Sequence, residues 1–248
     1  MAATVVNFAT GVPRRTNKGL LVEEARTNLL IRSQEFDTWS PANVTVTANA
    51  ATAPDGTSTA DRLTTTVAAY PSVFRAVTVA AATAHTLSVF AKADTSSTLS
   101  LEFRGGFGTP DAVFNLAAGT VAVTRGSATI TALANGWYRC TVTITSADTS
   151  ELVIIGLGTT VTIGDSIYLW GAQLEAFATA LSYVPTTSAT ATRGIDVAAV
   201  TVPAGMSLYE ATYNGGLTAT GAVTPGASFD LVTGRPWLNG YLERLEMT

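Results

Sequence analysis

The chain has 248 residues, 47% of them hydrophobic and 13% charged, and a formal net charge of -4. That is too apolar for a disordered protein and enough to bury a core, with length for one large or two modest domains. The basic residues are scattered and the only lysines are Lys18 and Lys92. This excludes the clustered cationic face that nucleic-acid binding needs and gives an anionic membrane nothing to attract.

No apolar run is long enough to cross a bilayer, and Met1-Ala2-Ala3-Thr4-Val5 lacks a basic n-region and an h-region. The expectation is a chain made and assembled in a cytoplasm, with no membrane insertion. The single cysteine, Cys140, rules out an intrachain disulfide and reads as a small buried residue. The single histidine, His85, reads as a surface or half-buried residue at a strand end. One Cys and one His cannot make a conventional zinc site, and no nucleophile elbow or Gly-rich phosphate loop accompanies them. The chain is therefore expected to have no enzymatic activity.

Residues 1–18 read as an arm, turn-rich and basic over Gly11 to Lys18. Gly19-Leu20-Leu21-Val22 is a short apolar strand. Glu23 to Leu30 fits a short helix or a loop between strands equally well. Ser33 to Trp39 reads as a turn closed by Pro41. From there a period of two takes over. Val44 to Ala48, Ala60 to Thr64, Tyr70 to Val79, His85 to Lys92 and Leu99 to Arg104 all read as strands, with Pro54-Asp55-Gly56 a turn between the first two. Ala112 to Leu116 and Gly119 to Val123 form a candidate hairpin. Asn135-Gly136 is the strongest hairpin signal, joining Ala128–Leu133 to Trp137–Thr145. Glu151 to Leu157 and Ser166 to Glu175 complete the series. About ten short strands with regular turns and no long amphipathic helix predict an all-β antiparallel jelly-roll sandwich. Phe177 to Arg193 reads as an extended strap over its surface. Residues 194–248 read as a small C-terminal β unit that is expected to lean on the main domain or on sister subunits, because so short a segment makes a weak core. The expected boundaries are an arm over 1–18, the jelly roll over 19–193 and the small unit over 194–248.

Gly19-Leu20-Leu21-Val22-Glu23-Glu24-Ala25-Arg26-Thr27-Asn28-Leu29-Leu30 is similar to the opening of a module found in tailed-phage and prophage structural proteins. Later marks of that module follow in order: Phe36 with Trp39, Ala53-Pro54-Asp55-Gly56-Thr57, Leu87-Ser88-Val89-Phe90-Ala91-Lys92, Gly136-Trp137-Tyr138-Arg139, Trp170-Gly171-Ala172-Gln173-Leu174-Glu175, Ser182-Tyr183-Val184-Pro185-Thr186-Thr187 and Thr192-Arg193. The resemblance spans residues 19–197. It implies a virion protein of the head-spike or tail-fibre kind, with a fold like the jelly-roll carbohydrate-binding modules of glycoside hydrolases. Trp237 to Leu245 resembles the end of a lectin-like sandwich most of which is missing. The implied role is a virion-surface component that contacts host-surface polysaccharide, as a homo-oligomer, a trimer, alongside other virion proteins. Two alternatives stand beside it: a capsid-decoration or tail-assembly protein without a sugar site, and a polysaccharide depolymerase. The last needs two carboxylates facing one cleft, and no such pair can be named from the residues.

Glycan recognition uses aromatic faces and planar polar groups. Trp137 and Trp170, in strands, are assigned to packing. Trp39 and Tyr70, in or beside loops, are the candidate stacking residues, with Phe74; Arg75 and Arg104 are the candidate polar partners. No cofactor is expected, though jelly-roll modules of this kind often hold a structural calcium through hard oxygen ligands. By their place in the pattern Glu23, Asp61 and Glu175, with Glu24, are its candidate ligands. Glu23, Glu24 and Arg26 are also expected to form a half-buried salt-bridge or hydrogen-bond clamp that ties the first strand to the last, with Glu175 facing Arg26.

Overall fold

The structure, a computed structural model, describes residues 14–16, 19–104, 109–158, 160–232, 235–236 and 238–248, with only the backbone of 14–16 and Arg104. Of the expected arm over 1–18, everything but 14–16 lies outside the described residues. The strands begin with β1 (Arg14–Thr16), β2 (Gly19–Val22), β3 (Arg26–Asn28), β4 (Ser40–Ala42), β5 (Val44–Ala51), β6 (Ala60–Thr65) and β7 (Ser72–Thr78). Next come β8 (Ala84–Ala93), β9 (Thr98–Arg104), β10 (Ala112–Asn115), β11 (Thr120–Val123), β12 (Ser127–Ala132), β13 (Trp137–Thr145), β14 (Ser150–Gly156) and β15 (Ser166–Glu175). The last are β16 (Ala191–Arg193), β17 (Ala199–Thr201), β18 (Leu208–Tyr213), β19 (Leu217–Ala222), β20 (Ser228–Asp230) and β21 (Gly240–Met247).

Chain packing divides the described residues into two compact units. One is Thr27–Ala191; the other joins the residues up to Arg26 with Thr192–Thr248. The first holds two six-stranded antiparallel sheets, ordered β11-β10-β9-β14-β7-β4 and β12-β13-β8-β15-β6-β5. Strands β6, β7, β8 and β9 alternate between the sheets, and the returning β13, β14 and β15 pair back onto β8, β7 and β6. A long antiparallel ribbon rolled on itself in this way is a jelly roll, so the predicted sandwich stands. Inward positions alternate along each strand: Leu99, Leu101 and Phe103 of β9 meet Val89, Cys140, Val142, Val153 and Ile155 in one apolar core. Cys140 is buried there, as expected, and burial pushes its thiol pKa up. His85 differs from expectation. It is fully buried, its ring beside Phe103 and its Nδ1 at 2.9 Å from the Thr83 carbonyl oxygen. The Asn135-Gly136 hairpin forms as predicted, with φ of 58° and 77° at the two turn residues.

In β15 the apolar alternation breaks at Gly171. Ile167 and Leu169 face the core, and so do Ala172 and Leu174. A one-residue bulge makes this parity change: Trp170 pairs with Phe90, but Gln173 pairs with Ser88. Gly171 sits in the bulge at φ 64°, and a Cβ there would lie 2.9 Å from the Phe90 ring. Without the bulge Gln173 and Glu175 would point into the core. Gly171→Ala is expected to cost roughly 1–2 kcal/mol through left-handed strain alone, read as a lowered melting temperature with the all-β circular-dichroism spectrum retained.

The bulge is also where the opening and closing motifs meet. The fully buried Asn28 donates through Nδ2 to the carbonyls of Ala172 (3.1 Å) and Val184 (2.9 Å). Its Oδ1 accepts from the amides of Leu30 and Leu174, both at 3.1 Å. The strap then runs over the outer face of the β8–β15 sheet, as predicted. Tyr183 packs 4.8 Å from the Trp170 ring, and Val184 donates its amide to Gln173 Oε1 at 2.6 Å. Trp137 and Trp170 are spent on packing under this strap with Ala53, Ala60 and Phe90, in line with their assignment.

The second unit is built on a five-stranded sheet ordered β1-β2-β21-β18-β19, with the β17–β20 ribbon beside it. This moves the expected boundaries. Gly19–Val22 does not open the sandwich; Leu20 pairs with Leu242 and Val22 with Gly240. Gly19 permits the approach, since a Cβ there would fall 2.3 Å from the Leu242 carbonyl oxygen. The unit has its own apolar core of Val22, Val202, Ala211, Phe229, Leu231, Val232 and Leu242. The clamp takes other partners than expected: Arg26 pairs with Glu24 two residues away, and Arg193 bridges Asp196 (2.8 Å) and Glu23 (3.4 Å), while Glu175 belongs to the other unit and accepts from Gln173 and Leu181.

Candidate functional site

Three of the five expected glycan-binding residues lie on β7 or just before it, Tyr70, Phe74 and Arg75, with Arg75 on the core side of the strand beside Val73 and Val77. Alternation along β7 puts Ser72, Phe74 and Ala76 on the outer face of its sheet. Register then sets Phe74 beside Ser40 of β4 and Ile154 of β14, and Ile154 beside Glu102 of β9. This gives a row of Ser40, Phe74, Ile154 and Glu102 across the face. Phe74 is half-buried, and Glu102 is 4% exposed. Ala76, Leu152 and Arg104 make the adjoining row by the same register. Arg104 therefore lies on the β9 stretch of the expected face, with its side chain outside the described set.

Tyr70 enters β7 from the loop before it and is 53% exposed. Its φ of 52° is a left-handed conformation that a bulky aromatic residue rarely adopts. The loop around it is tied down. The Ser72 hydroxyl donates to the Tyr70 carbonyl at 3.2 Å, and the Leu157 amide donates to the Pro71 carbonyl at 3.0 Å. The Asn43 side-chain amide donates to the Ala69 carbonyl. Gly156 leaves room for this path, since a Cβ there would sit 2.5 Å from the Pro71 oxygen. An exposed aromatic is thus held in a strained conformation by fixed backbone contacts.

Trp39 is placed differently from the expectation. It is 3% exposed, packs 5.2 Å from the Phe36 ring and belongs to the sandwich core. Its face is not open to a sugar, because large aromatic area is worth most in the interior. Its Nε1 donates to the Arg32 carbonyl at 3.1 Å, and the Arg75 guanidinium lies over its ring at 5.2 Å. Arg75 donates to the carbonyl and hydroxyl oxygens of Thr38 at 3.3 and 3.4 Å. Desolvation, then the nearby Arg32 charge, lowers the Arg75 pKa. Arg32 holds φ 57° and pairs with Glu35 at 2.6 Å.

The expected calcium ligands do not converge. Asp61 is buried, and its oxygens accept the amides of Phe36 (2.8 Å) and Asn49 (2.9 Å). Burial raises its pKa and those bonds oppose the rise. Glu175 accepts from Gln173 Nε2 (2.8 Å) and the Leu181 amide (3.1 Å). Leu169 is the β15 partner of Asp61, so Glu175 is six residues, about 20 Å, further along the strand. Glu23 belongs to the other unit and faces Arg193. Among the described residues no group of three His, Cys, Asp or Glu side chains comes together to hold a metal. These carboxylates fasten backbone and do not fit a calcium site.

Sequence reasoning missed Glu102 and Ile154 on the outer face and Arg32 beside Arg75. The period of two in Leu99 to Arg104 puts Glu102 on the same face as Arg104 and was a usable signal. Nothing in the residues marks Arg32 as left-handed.

No protein-family model matches the chain. No curated protein matches it. Among solved structures it is similar to a carbohydrate-binding module described as "CBM4 structure and function", at 14% identity over 66% of this chain and 100% of that one. The TM-score of 0.36 marks a superposition too loose to bear on fold or ligand.

Proposed function

We propose that the jelly-roll unit binds host-surface glycan along β7, as part of a non-enzymatic structural protein on a phage virion surface. The observation that carries the sugar reading is the exposed Tyr70, held in a strained conformation at one end of a strand whose outer face holds the half-buried Phe74. Four residues of chain separate the two aromatics, at most about 13 Å when extended, a reach that suits an oligosaccharide better than one sugar. The virion role rests on the ordered motif series between Gly19 and Arg193, and so does assembly as a homo-oligomer, a trimer, with other virion proteins.

Tyr70→Ala and Phe74→Ala are each expected to weaken binding of the purified chain to host-envelope polysaccharide at least tenfold, with thermal melts close to wild type for Tyr70→Ala. Binding that survives both substitutions removes this site. No binding to any host-envelope preparation leaves a capsid-decoration or tail-assembly protein without sugar contact.

A further inference from the structure

We propose that Val67 and Ile163 extend the Tyr70 end of the glycan site into an apolar rim that takes an acetyl substituent of the bound sugar. The proposal rests on the glycan reading above and narrows it to acetylated polysaccharides. Among the described residues of the first unit, the exposed large apolar side chains are Val67, Tyr70, Val123, Ile163 and Phe177. Three of these, Val67 (50% exposed), Tyr70 (53%) and Ile163 (67%), stand on two loops at one end of the sandwich. One loop is 66–71, between β6 and β7; the other is 160–165, leading into β15.

Main-chain bonds hold the two loops side by side. Thr65 donates its amide to the Asp165 carbonyl at 2.8 Å, and Gly164 donates its amide to the Thr65 carbonyl at 2.9 Å. The first loop is wound round Asn43. The Asn43 carbonyl accepts the amides of Thr66 (2.9 Å) and Val67 (3.4 Å), and its side chain donates to the Ala69 carbonyl. Val67 therefore shares a tied loop with Tyr70. In the second loop Ile163 and Gly164 make the corner of a turn, closed by the Asp165 amide on the Thr162 carbonyl at 3.0 Å, with Gly164 at φ 93°. Apolar area exposed on fixed loops marks a contact surface, and its ordering cost is already met.

The polar groups of the rim select the substituent. The two loops hold one charged residue, Asp165, whose Oδ2 accepts the Thr162 amide at 2.7 Å. The Thr95 hydroxyl brings the next loop to the Gly164 carbonyl at 3.4 Å, and Asp94 on that loop is paired with Arg62 at 2.6 Å. A charged substituent thus finds no counter-charge on these two loops. Thr66 and Thr162, both exposed, are the chain neighbours of Val67 and Ile163. An acetyl group matches this set: its methyl suits the two branched side chains, and its carbonyl accepts from a threonine hydroxyl.

The test is titration calorimetry of the full chain with two ligand pairs. The first is host-envelope polysaccharide, intact and after alkaline removal of its acetyl esters. The second is chitohexaose and cellohexaose, which share a backbone and differ in the acetamido group. In at least one pair the acetylated member is expected to bind about fourfold tighter or more, the worth of one buried methyl group. The double variant Val67→Ser, Ile163→Ser is expected to remove most of that preference with an unchanged thermal melt. If glycan binds but neither pair shows a preference, or the double variant keeps the preference, the rim is wrong and the glycan reading stands. Capture by phosphatidylcholine vesicles that needs Val67 and Ile163, without any acetyl preference, would make the rim a lipid contact and overturn the proposal. If no glycan binds, both readings are wrong.

Discussion

Arg193→Ala is expected to destabilise the second unit by about 3–5 kcal/mol, because it removes a buried guanidinium from between two buried carboxylates. Glu23 is 3% exposed and Asp196 1% exposed. Arg193 stands between them, with NH1 2.8 Å from Asp196 Oδ1 and NH2 3.4 Å from Glu23 Oε2. It also donates to the Glu24 carbonyl at 2.9 Å, and Asp196 Oδ2 accepts the Glu23 amide at 2.9 Å. Losing the guanidinium therefore breaks a network. The measurement is urea unfolding followed by circular dichroism together with amide exchange of the strands β18 and β21. Those amides are expected to lose protection while the sandwich amides keep theirs. Adding Glu23→Gln and Asp196→Asn to the same variant is expected to recover part of the loss, because neutral amides cost less to bury. Wild-type protection in Arg193→Ala would mean that the pair contributes nothing net.

The second large effect is at Asn28. Asn28→Ala removes four hydrogen bonds at a fully buried site and is expected to cost about 2–4 kcal/mol. Asn28→Asp is expected to cost more, about 3–5 kcal/mol, although it is nearly isosteric. It replaces the amide nitrogen that donates to Ala172 and Val184 with an oxygen facing two carbonyl oxygens. The carboxyl would be pushed up in pKa, so the folded protein would take up a proton before the unfolded chain does. The deficit of Asn28→Asp relative to Asn28→Ala is then expected to shrink as pH falls through the carboxylate range. Thermal melts of both variants between neutral pH and pH 4 read this directly. A pH-independent gap would refute the assigned donor and acceptor roles.

The fold was largely legible because a period of two survives wherever one face of a strand is buried. Leu99-Ser100-Leu101-Glu102-Phe103 and the Asn135-Gly136 turn each point to a single outcome, and the structure agrees. Partnership was not legible. Gly19–Val22 alternates as well for one sheet as for another, and only the register with Leu242 and Gly240 assigns it to the second unit. Trp39 shows the same limit at the site. A tryptophan next to Ser and Pro reads as a loop residue, but a one-turn 3-10 helix over Phe36–Thr38 directs it into the core. Tyr70 was legible as an exposed aromatic beside a strand, while Phe74, within the strand, is half-buried. Arg32 was not legible, because its left-handed backbone comes from contacts made far along the chain, such as its amide to the Thr187 carbonyl.

The pairing of β2 with β21 has a consequence for synthesis. The residues of the jelly roll are contiguous, so on a ribosome they are all available once Ala191 has emerged. Leu20 must wait for Leu242, and until then its apolar strand has only the short β1 beside it. Closing so long a loop costs little extra free energy but takes time. The sandwich is thus expected to mature first, with the second unit completed only as the last strand is made. A nascent chain arrested before Gly240 would carry a finished jelly roll and an exposed Gly19–Val22. Such a chain would be resistant to protease over its middle and vulnerable at its beginning.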